Sequence, residues 1–435
     1  MKNQRLRTFN YAIGMFGTSI PINLLKTYAA IFYVGQLGLT TPQFALILFV
    51  YTFIDVLDNP VYGFLSDRTR SKWGRRRPWL VIGTPLLVLG LIAFYSTPQF
   101  LSGQSLLAYA MLFYILTGTL DSVINANYAA LFPELFKDDA SRARANAMRQ
   151  AFQLVAMIIS IALTPVVTSA IGFSMTSILY GLLGGVVIVY MALTAKERPI
   201  EPEDAKPRLW DSIKTIITNR NFWIAGLTNA FYSAAMSLVL AGLPFFVKYT
   251  LQIPDAQSTF LFASVLLIAI GCVILWAWLV KKYHLLRIWR IALAALAVAF
   301  LPLFFASNLV TAIAASALVG FGFAGVITTM DLIGARIMDE DTRKYNLRRE
   351  GIYSNALGFM NRLSGLFTSL AFLLLFELFG FESGDNPGAQ PGTASRFLLT
   401  VFPMVLMVIS LGFSFFLKFT KRDNEKVEDA EMNEV

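Results

Sequence analysis

Residues 43–97 read QFALILFVYTFIDVLDNPVYGFLSDRTRSKWGRRRPWLVIGTPLLVLGLIAFYST. Two apolar runs flank a basic segment at 66–78 that carries Arg68, Arg70, Lys72, Arg75, Arg76 and Arg77. Each run has about 20 residues, the length of helix that crosses a ~30 Å hydrocarbon core. Lipid offers no hydrogen bonds, so each run must satisfy its own backbone, which requires a helix. The stretch is therefore read as a helical hairpin through a membrane, with a basic loop on one aqueous side.

The same pattern repeats along the chain. Apolar segments are expected as helices at 8–34, 43–67, 78–97, 105–133, 144–170 and 173–195. Six more are expected at 222–250, 257–280, 285–306, 308–338, 349–381 and 394–419, giving an all-α membrane protein of twelve transmembrane helices. Composition agrees: of 435 residues, 56% are hydrophobic and 14% charged, where a soluble chain would carry about 25% charged residues. Residues 1–10 are basic but lead into no short apolar run with a small-residue cleavage site, so no cleavable signal peptide is expected. One cysteine, Cys272, and one histidine, His284, argue against a disulfide framework or a Cys/His metal site.

The loops alternate in charge. Segments 35–42, 98–104 and 171–172 carry none, whereas the N-terminus, the even-numbered loops and the C-terminal tail are basic. Of the 36 Lys and Arg, only Lys248 and Arg396 fall on the charge-poor side, and Lys26 and Arg362 fall inside apolar runs. The seven tryptophans also lie toward the basic side. By the positive-inside rule both termini are cytoplasmic, in an inner or plasma membrane. The net charge of +9 then belongs to a surface facing anionic lipid, and no nucleic-acid partner is expected.

The longest polar break, 196–221, contains Pro199, Pro202 and Pro207 and suits a linker. Residues 210–217 within it could lie on the membrane as an amphipathic helix. The break divides the chain into a six-helix bundle at 1–195, the linker at 196–221, a second six-helix bundle at 222–420 and a tail at 421–435. Two such halves are the architecture of a rocking carrier, with its site at the midplane between them. The alternative is an accidental even split.

Residues 55–63 (DVLDNPVYG) followed by 66–78 (SDRTRSKWGRRRP) resemble the glycoside–pentoside–hexuronide:cation symporters of the major facilitator superfamily, the family of the melibiose permease. Residues 128–135 (YAALFPEL) with 141–146 (SRARAN), 335–341 (ARIMDED) with 348–353 (RREGIY), and the last hairpin from Gly380 to Pro403 extend the resemblance over nearly the whole chain. It implies the major facilitator fold with two pseudo-symmetric halves. It also implies secondary transport of a small polar solute, coupled to H+ or Na+, with membrane lipid as the other partner and no further cofactor or metal.

The departures from the family bear on substrate and ion. The family pairs two acids four residues apart on helix 2; here Asp55 is kept but its partner position is Asn59, with Asp58 one residue earlier and about 100° away around the helix. The family's acid on helix 1 aligns with Ser19 and that on helix 4 with Asn125, while Asp121 lies one turn before Asn125 on the same face. The basic residue of helix 11 is matched by Arg362 and the arginine of helix 5 by Arg149.

Charges inside a membrane are expensive and mark function or partnership. Candidates for cation coupling are Asp55, Asp58, Asn59 and Asp121, and for substrate binding Ser19, Asn23, Lys26, Asn125 and Arg362. Asp55 is open to a coupling role or to a structural pair with Lys26. Arg362, whose planar fork can clamp a carboxylate, phosphate or pair of hydroxyls, is open to solute contact or to a pair with Asp121. Asp67, Arg68, Arg75, Arg76, Arg149 and Asp331 are candidates for an inner gate, with topology-setting charge as the alternative for the loop. No phosphate-cradling loop or nucleophile motif stands out, so no enzyme is expected. The reading is a carrier of a sugar or sugar acid, expected as a monomer, with proton favoured over sodium because single acids survive where the family's carboxylate cluster does not. Alternatives are a carrier of an amphiphile such as a lysolipid, or a membrane sensor on the same fold.

Overall fold

A computed structural model describes residues 2–136, 139–195, 218–345 and 350–419. The interval 196–217, with the amphipathic segment expected there, and the tail at 421–435 lie outside the described residues, as do the side chains of Asp58, Asn59 and Asp67. The described residues form helices and no strand.

In the first half these are α1 (Lys2–Tyr33), α2 (Thr41–Arg68), α3 (Arg77–Tyr95), α4 (Gly103–Leu135), α5 (139–171) and α6 (173–194). The start of α2 is built locally: Thr40 accepts from the Gln43 amide at 3.3 Å, and the Gln43 side chain accepts from the Thr40 amide at 3.0 Å. Such a capping box satisfies two donors that a helix end leaves open. Between α5 and α6 the expected loop reduces to Gly172, at φ 76° and ψ 167°, a conformation reserved in practice for glycine.

The second half comprises α7 (220–251), α8 (Ser258–Lys282), α9 (Leu285–Phe305), α10 (Leu309–Tyr345), α11 and α12 (391–414). The expected continuous helix at 349–381 is instead two pieces, Glu350–Arg362 and Ser364–Phe379, joined at Leu363, and together they are α11. Wide π-type turns interrupt α5 at Ile158–Ala162, α7 at Phe246–Leu251 and α12 at Phe397–Val401. Such turns recur at functional sites because they free backbone groups and re-aim side chains. Among the described residues, nine segments are by themselves long and apolar enough to span a membrane. The exceptions are α1, α2 and α5, which carry many of the polar residues singled out above.

Packing reveals the internal symmetry. In the first half α1 packs on α5 and α6, α3 on α4 and α6, and α2 on α4. Six helices later α7 packs on α11 and α12, α9 on α10 and α12, and α8 on α10. Each pairing of one bundle recurs in the other, as a duplicated six-helix unit requires. The outer belt is apolar: Phe100 is 84% exposed, Ile274 76% and Val310 76%. In water such a surface would aggregate; lipid covers it.

The halves meet through α1 with α7, α2 with α11, and α5 with α8. At the charge-poor end the contact is closed by the backbone. The Gly384 amide donates to the Val34 carbonyl at 2.7 Å, and the Thr41 amide donates to the Glu382 carbonyl at 2.8 Å. Thr41 Oγ1 donates to Phe381 O at 2.6 Å, Ser369 Oγ to Ala45 O at 2.7 Å and Lys248 Nζ to Gly35 O at 2.8 Å. A Cβ on Gly384 would collide with the Gly35 carbonyl, so this seam needs glycine.

Candidate functional site

Asp55 lies near the middle of α2 and is buried. Arg362 ends the first piece of α11, and the break at Leu363 directly follows it. The two meet across the halves: Arg362 Nη1 lies 2.8 Å from Asp55 Oδ1 and also donates to the Asp55 backbone carbonyl. Ser122 Oγ from α4 donates to the same Oδ1 at 3.0 Å. One carboxylate thus ties α2, α4 and α11 together, 307 residues apart in sequence between Asp55 and Arg362. Neither pairing left open by the sequence, Asp55 with Lys26 or Arg362 with Asp121, is the one formed.

Asp121, one helical turn before Asn125 on α4, is buried, and its Oδ1 accepts from Asn125 Nδ2 at 2.8 Å. The charges that act on Asp121 are Lys26, Asp55 and Arg362, so all four ionisable groups belong to one cluster. On α1, Ser19, Asn23 and Lys26 are spaced four and three residues apart and share a helical face. Ser19 is buried, and Asn23 Nδ2 donates to Ser160 Oγ at 2.9 Å. Ser160 sits in the π-type turn of α5 and donates to Ala156 O at 2.6 Å, which links the α1 face to the place where α5 widens. Lys26 is exposed, and among the described residues its ammonium makes no hydrogen bond or ion pair.

Four contributors were not singled out on the sequence: Tyr51, Tyr114, Ser122 and Ser160. Tyr51 is one turn before Asp55 on the same face, stands in the field of Asp55, Asp121 and Arg362, and packs edge-on against Tyr114 with ring centroids 5.1 Å apart. Its four-residue spacing from Asp55 was a usable signal. Ser122 and Ser160 had none, since serines are common in membrane helices and only the packing aims these two.

The gate candidates are placed differently. Arg149 lies against the Tyr128 and Phe132 rings at 5.8 Å and 5.6 Å and beside the Tyr11 hydroxyl, all in its own half, and is not brought to Asp331. Asp331 makes no ion pair among the described residues. Arg76 Nη1 donates to Ser66 Oγ at 2.7 Å, fastening the basic loop to the end of α2. Arg68 and Arg75 stand at that same end of the molecule. Among the described residues there is no cluster of His, Cys, Asp and Glu able to hold a metal ion.

This arrangement gathers charges where two matching bundles meet with one end closed. The chain matches the family described as MFS/sugar transport protein over residues 10–421. It is 23% identical to an isoprimeverose transporter of Lactiplantibacillus pentosus, over 97% of this chain and 90% of that one. It is 26% identical to the inner membrane symporter YicJ of Escherichia coli, over 58% and 56%. Its fold is similar to that of a bacterial homologue of the human lysosomal transporter Spinster in an inward-facing, unoccupied conformation, with a TM-score of 0.69, 13% identity and coverage of 95% of this chain and 96% of that one. The protein is thus a multi-pass membrane transporter and not an enzyme, and the chain belongs to the MFS/sugar transport protein family.

Proposed function

We propose that the protein moves a sugar or sugar acid across an inner or plasma membrane by alternating access, coupled to a cation, with proton favoured over sodium. The basic side is taken as cytoplasmic, the bundles as residues 1–195 and 222–420, and the linker as 196–221. The observation that carries the reading is the Asp55–Arg362 pair, an ion pair between the two halves at the break in α11, with Asp55 buried and Arg362 partly buried. A pair in this position is sensitive to both cargoes. A cation taken up by Asp55 competes with the guanidinium, and the released Arg362 can then offer its two-pronged fork to solute hydroxyls or a carboxylate. Ser19, Asn23, Lys26 and Asn125 flank it as further polar contacts, with Asp58, Asn59 and Asp121 as the other coupling candidates. A proton needs one basic oxygen, whereas sodium needs several oxygens around it. Asp55 offers a single carboxylate already engaged by Arg362 and Ser122, which favours the proton.

Alternating access needs a ligand that binds the two conformations differently. The closed charge-poor end leaves loading to the basic side in this conformation. At that side Asp67, Arg68, Arg75, Arg76, Arg149 and Asp331 remain the gate candidates, to be engaged when the molecule rocks the other way. The test is uptake by purified protein in liposomes. Asp55→Asn is expected to abolish accumulation of sugar against its gradient while exchange of labelled for unlabelled sugar persists in part. Normal accumulation by Asp55→Asn under an imposed pH or sodium gradient would make Asp55 structural.

A further inference from the structure

The π-type turn of α5 is held by side chains from two other helices. Leu163 N donates to Ile158 O at 2.9 Å, five residues back, where a regular α-helix would send it to Ile159 O. The Tyr180 hydroxyl of α6 takes the carbonyl so released, donating to Ile159 O at 2.8 Å. A second carbonyl is orphaned by proline, since Pro165 has no N–H to give Ile161 O. The Tyr28 hydroxyl of α1 donates to that one. Thr164 Oγ1 donates to Ser160 O at 2.9 Å and stands 3.3 Å from the Tyr180 hydroxyl. Tyr28, Tyr180, Ser160, Ile161 and Thr164 are all buried, and buried carbonyls need such donors. The turn also meets the polar face of α1 through Asn23 and packs on α8 of the second half.

We infer that α5 exchanges between two registers at this turn, and that Tyr180 is the positioning residue that holds the wide one. The step is a hand-over at one carbonyl. Leu163 N leaves Ile158 O for Ile159 O and displaces the Tyr180 hydroxyl, while Ile158 O is met by Ala162 N, its partner in a regular helix. Leu163 keeps a backbone bond in both registers, so two local terms set the balance. The wide register has the Tyr180 bond, and it relieves the crowding of Ile161 O by the Pro165 ring that a regular helix imposes. The regular register has the better backbone geometry. Tyr28 takes no part in the hand-over, because Ile161 O lacks a backbone donor in either register. Closing the turn by one residue rotates 139–157 by ~100° against 163–171. The outer piece is tied back onto α6 through Gly172, so the inner piece turns, and Arg149 leaves the Tyr128 and Phe132 rings of its own half. Because the turn packs on α8, the register is felt at the seam between the halves. The wide register belongs to the conformation closed at the charge-poor end, and the regular one to the opposite conformation. The inference rests on the alternating access proposed above, to which it adds a part that moves within one half, and it does not depend on the solute.

The experiment uses full-length protein in liposomes, in a Cys272→Ala background, with two readouts. Register is read inside the first half, by the distance between spin labels at Ile82→Cys on α3 and at either Gln150→Cys or Val155→Cys on α5. All three positions are exposed, and rigid rocking of the halves leaves both distances fixed. A helix with its side chains is about 10–12 Å across, so a ~100° turn displaces a side chain by several ångström. Opening is read by maleimide labelling of Ala45→Cys at the charge-poor seam. Tyr180→Phe loses only the hydroxyl. It is expected to raise a second distance population and the labelling together, by about two- to tenfold, the range for one hydrogen bond. Pro165→Ala is expected to act in the same direction with every tyrosine in place, which keeps the test decisive if Tyr180→Phe folds poorly. Tyr28→Phe should lower the unfolding temperature and move neither readout. Unchanged distances in Tyr180→Phe and Pro165→Ala overturn the inference. So does a shift in Tyr28→Phe equal to that in Tyr180→Phe, the mark of general loosening of α5. A second distance with unchanged labelling, where Gly384→Ala does raise labelling, overturns the link between register and opening and leaves the carrier reading standing. Labelling that rises in none of these variants, Gly384→Ala included, overturns the alternating access on which the inference rests.

Discussion

The two halves touch in two chemically opposite ways. At the charge-poor end they are joined by backbone amides and carbonyls from 34–45 and 381–384, by the hydroxyls of Thr41 and Ser369 donating to backbone carbonyls, and by one lysine, Lys248, donating to Gly35. In the middle they are joined by full charges, Arg362 on one side and Asp55 on the other, with Asp121 and Lys26 beside them. Backbone hydrogen bonds between neutral groups do not respond to a proton, a sodium ion or a solute. An ion pair does, because each cargo changes the charge that one partner sees. On the carrier reading proposed above, the end seam is expected to act as a latch whose strength is fixed by geometry, and the central cluster as the part that senses occupancy.

The comparison is most severely tested at Arg362. Arg362→Ala leaves Asp55 buried without its cation, a change that costs about 3–5 kcal/mol when one partner of a buried pair is removed. Transport is expected to fall at least about a hundredfold on that basis. The double variant Asp55→Asn/Arg362→Gln should regain thermal stability, measured by unfolding in detergent, without regaining accumulation. Recovery by Asp121→Asn in place of Asp55→Asn would show that the operative partner of Arg362 is Asp121, and the middle of the molecule would need redrawing.

At the latch the expected effects are smaller and different in kind. Gly384→Ala puts a methyl group against the Gly35 carbonyl, and overpacking of this sort costs about 1–3 kcal/mol. It should favour opening of the charge-poor end. In a Cys272→Ala background, a cysteine replacing Ala45 should become more reactive, with solute affinity changed little. No change in labelling would mean that the seam yields without opening. Lys248→Gln is the mildest probe. It removes one charged donor from Gly35, leaves the backbone bonds intact, and is expected to shift the same labelling severalfold at most, in keeping with about 1–2 kcal/mol for such a bond. A larger effect than that of Gly384→Ala would make charge, not backbone geometry, the basis of the latch.

Much of this was legible in the chain because the membrane restricts what a sequence can mean. The segment 43–97 could only be a hairpin of spanning helices, and a single glycine, Gly172, was enough to separate α5 from α6. The break at Leu363 was not legible. It has neither Pro nor Gly at the junction itself, and the residues 361–365 (NRLSG) read as helix. Nor did the loop charges reveal that Arg149 packs among aromatic rings of its own half, since depth along a helix says nothing about which way a side chain turns.

The sequence by itself determined the membrane class, the order of the helices and the short roster of intramembrane charges: Lys26, Asp55, Asp58, Asp121 and Arg362. It could do so because helix length and the cost of a charge in lipid are properties of each segment alone. Only the tertiary structure decided which of these charges meet. They sit on α1, α2, α4 and α11, and pairing depends on how each helix is rotated and where α11 breaks. Those are settled by packing between segments as much as 307 residues apart. The choice of Asp55 rather than Asp121 for Arg362, and with it the exposure of Lys26, is a consequence of that packing.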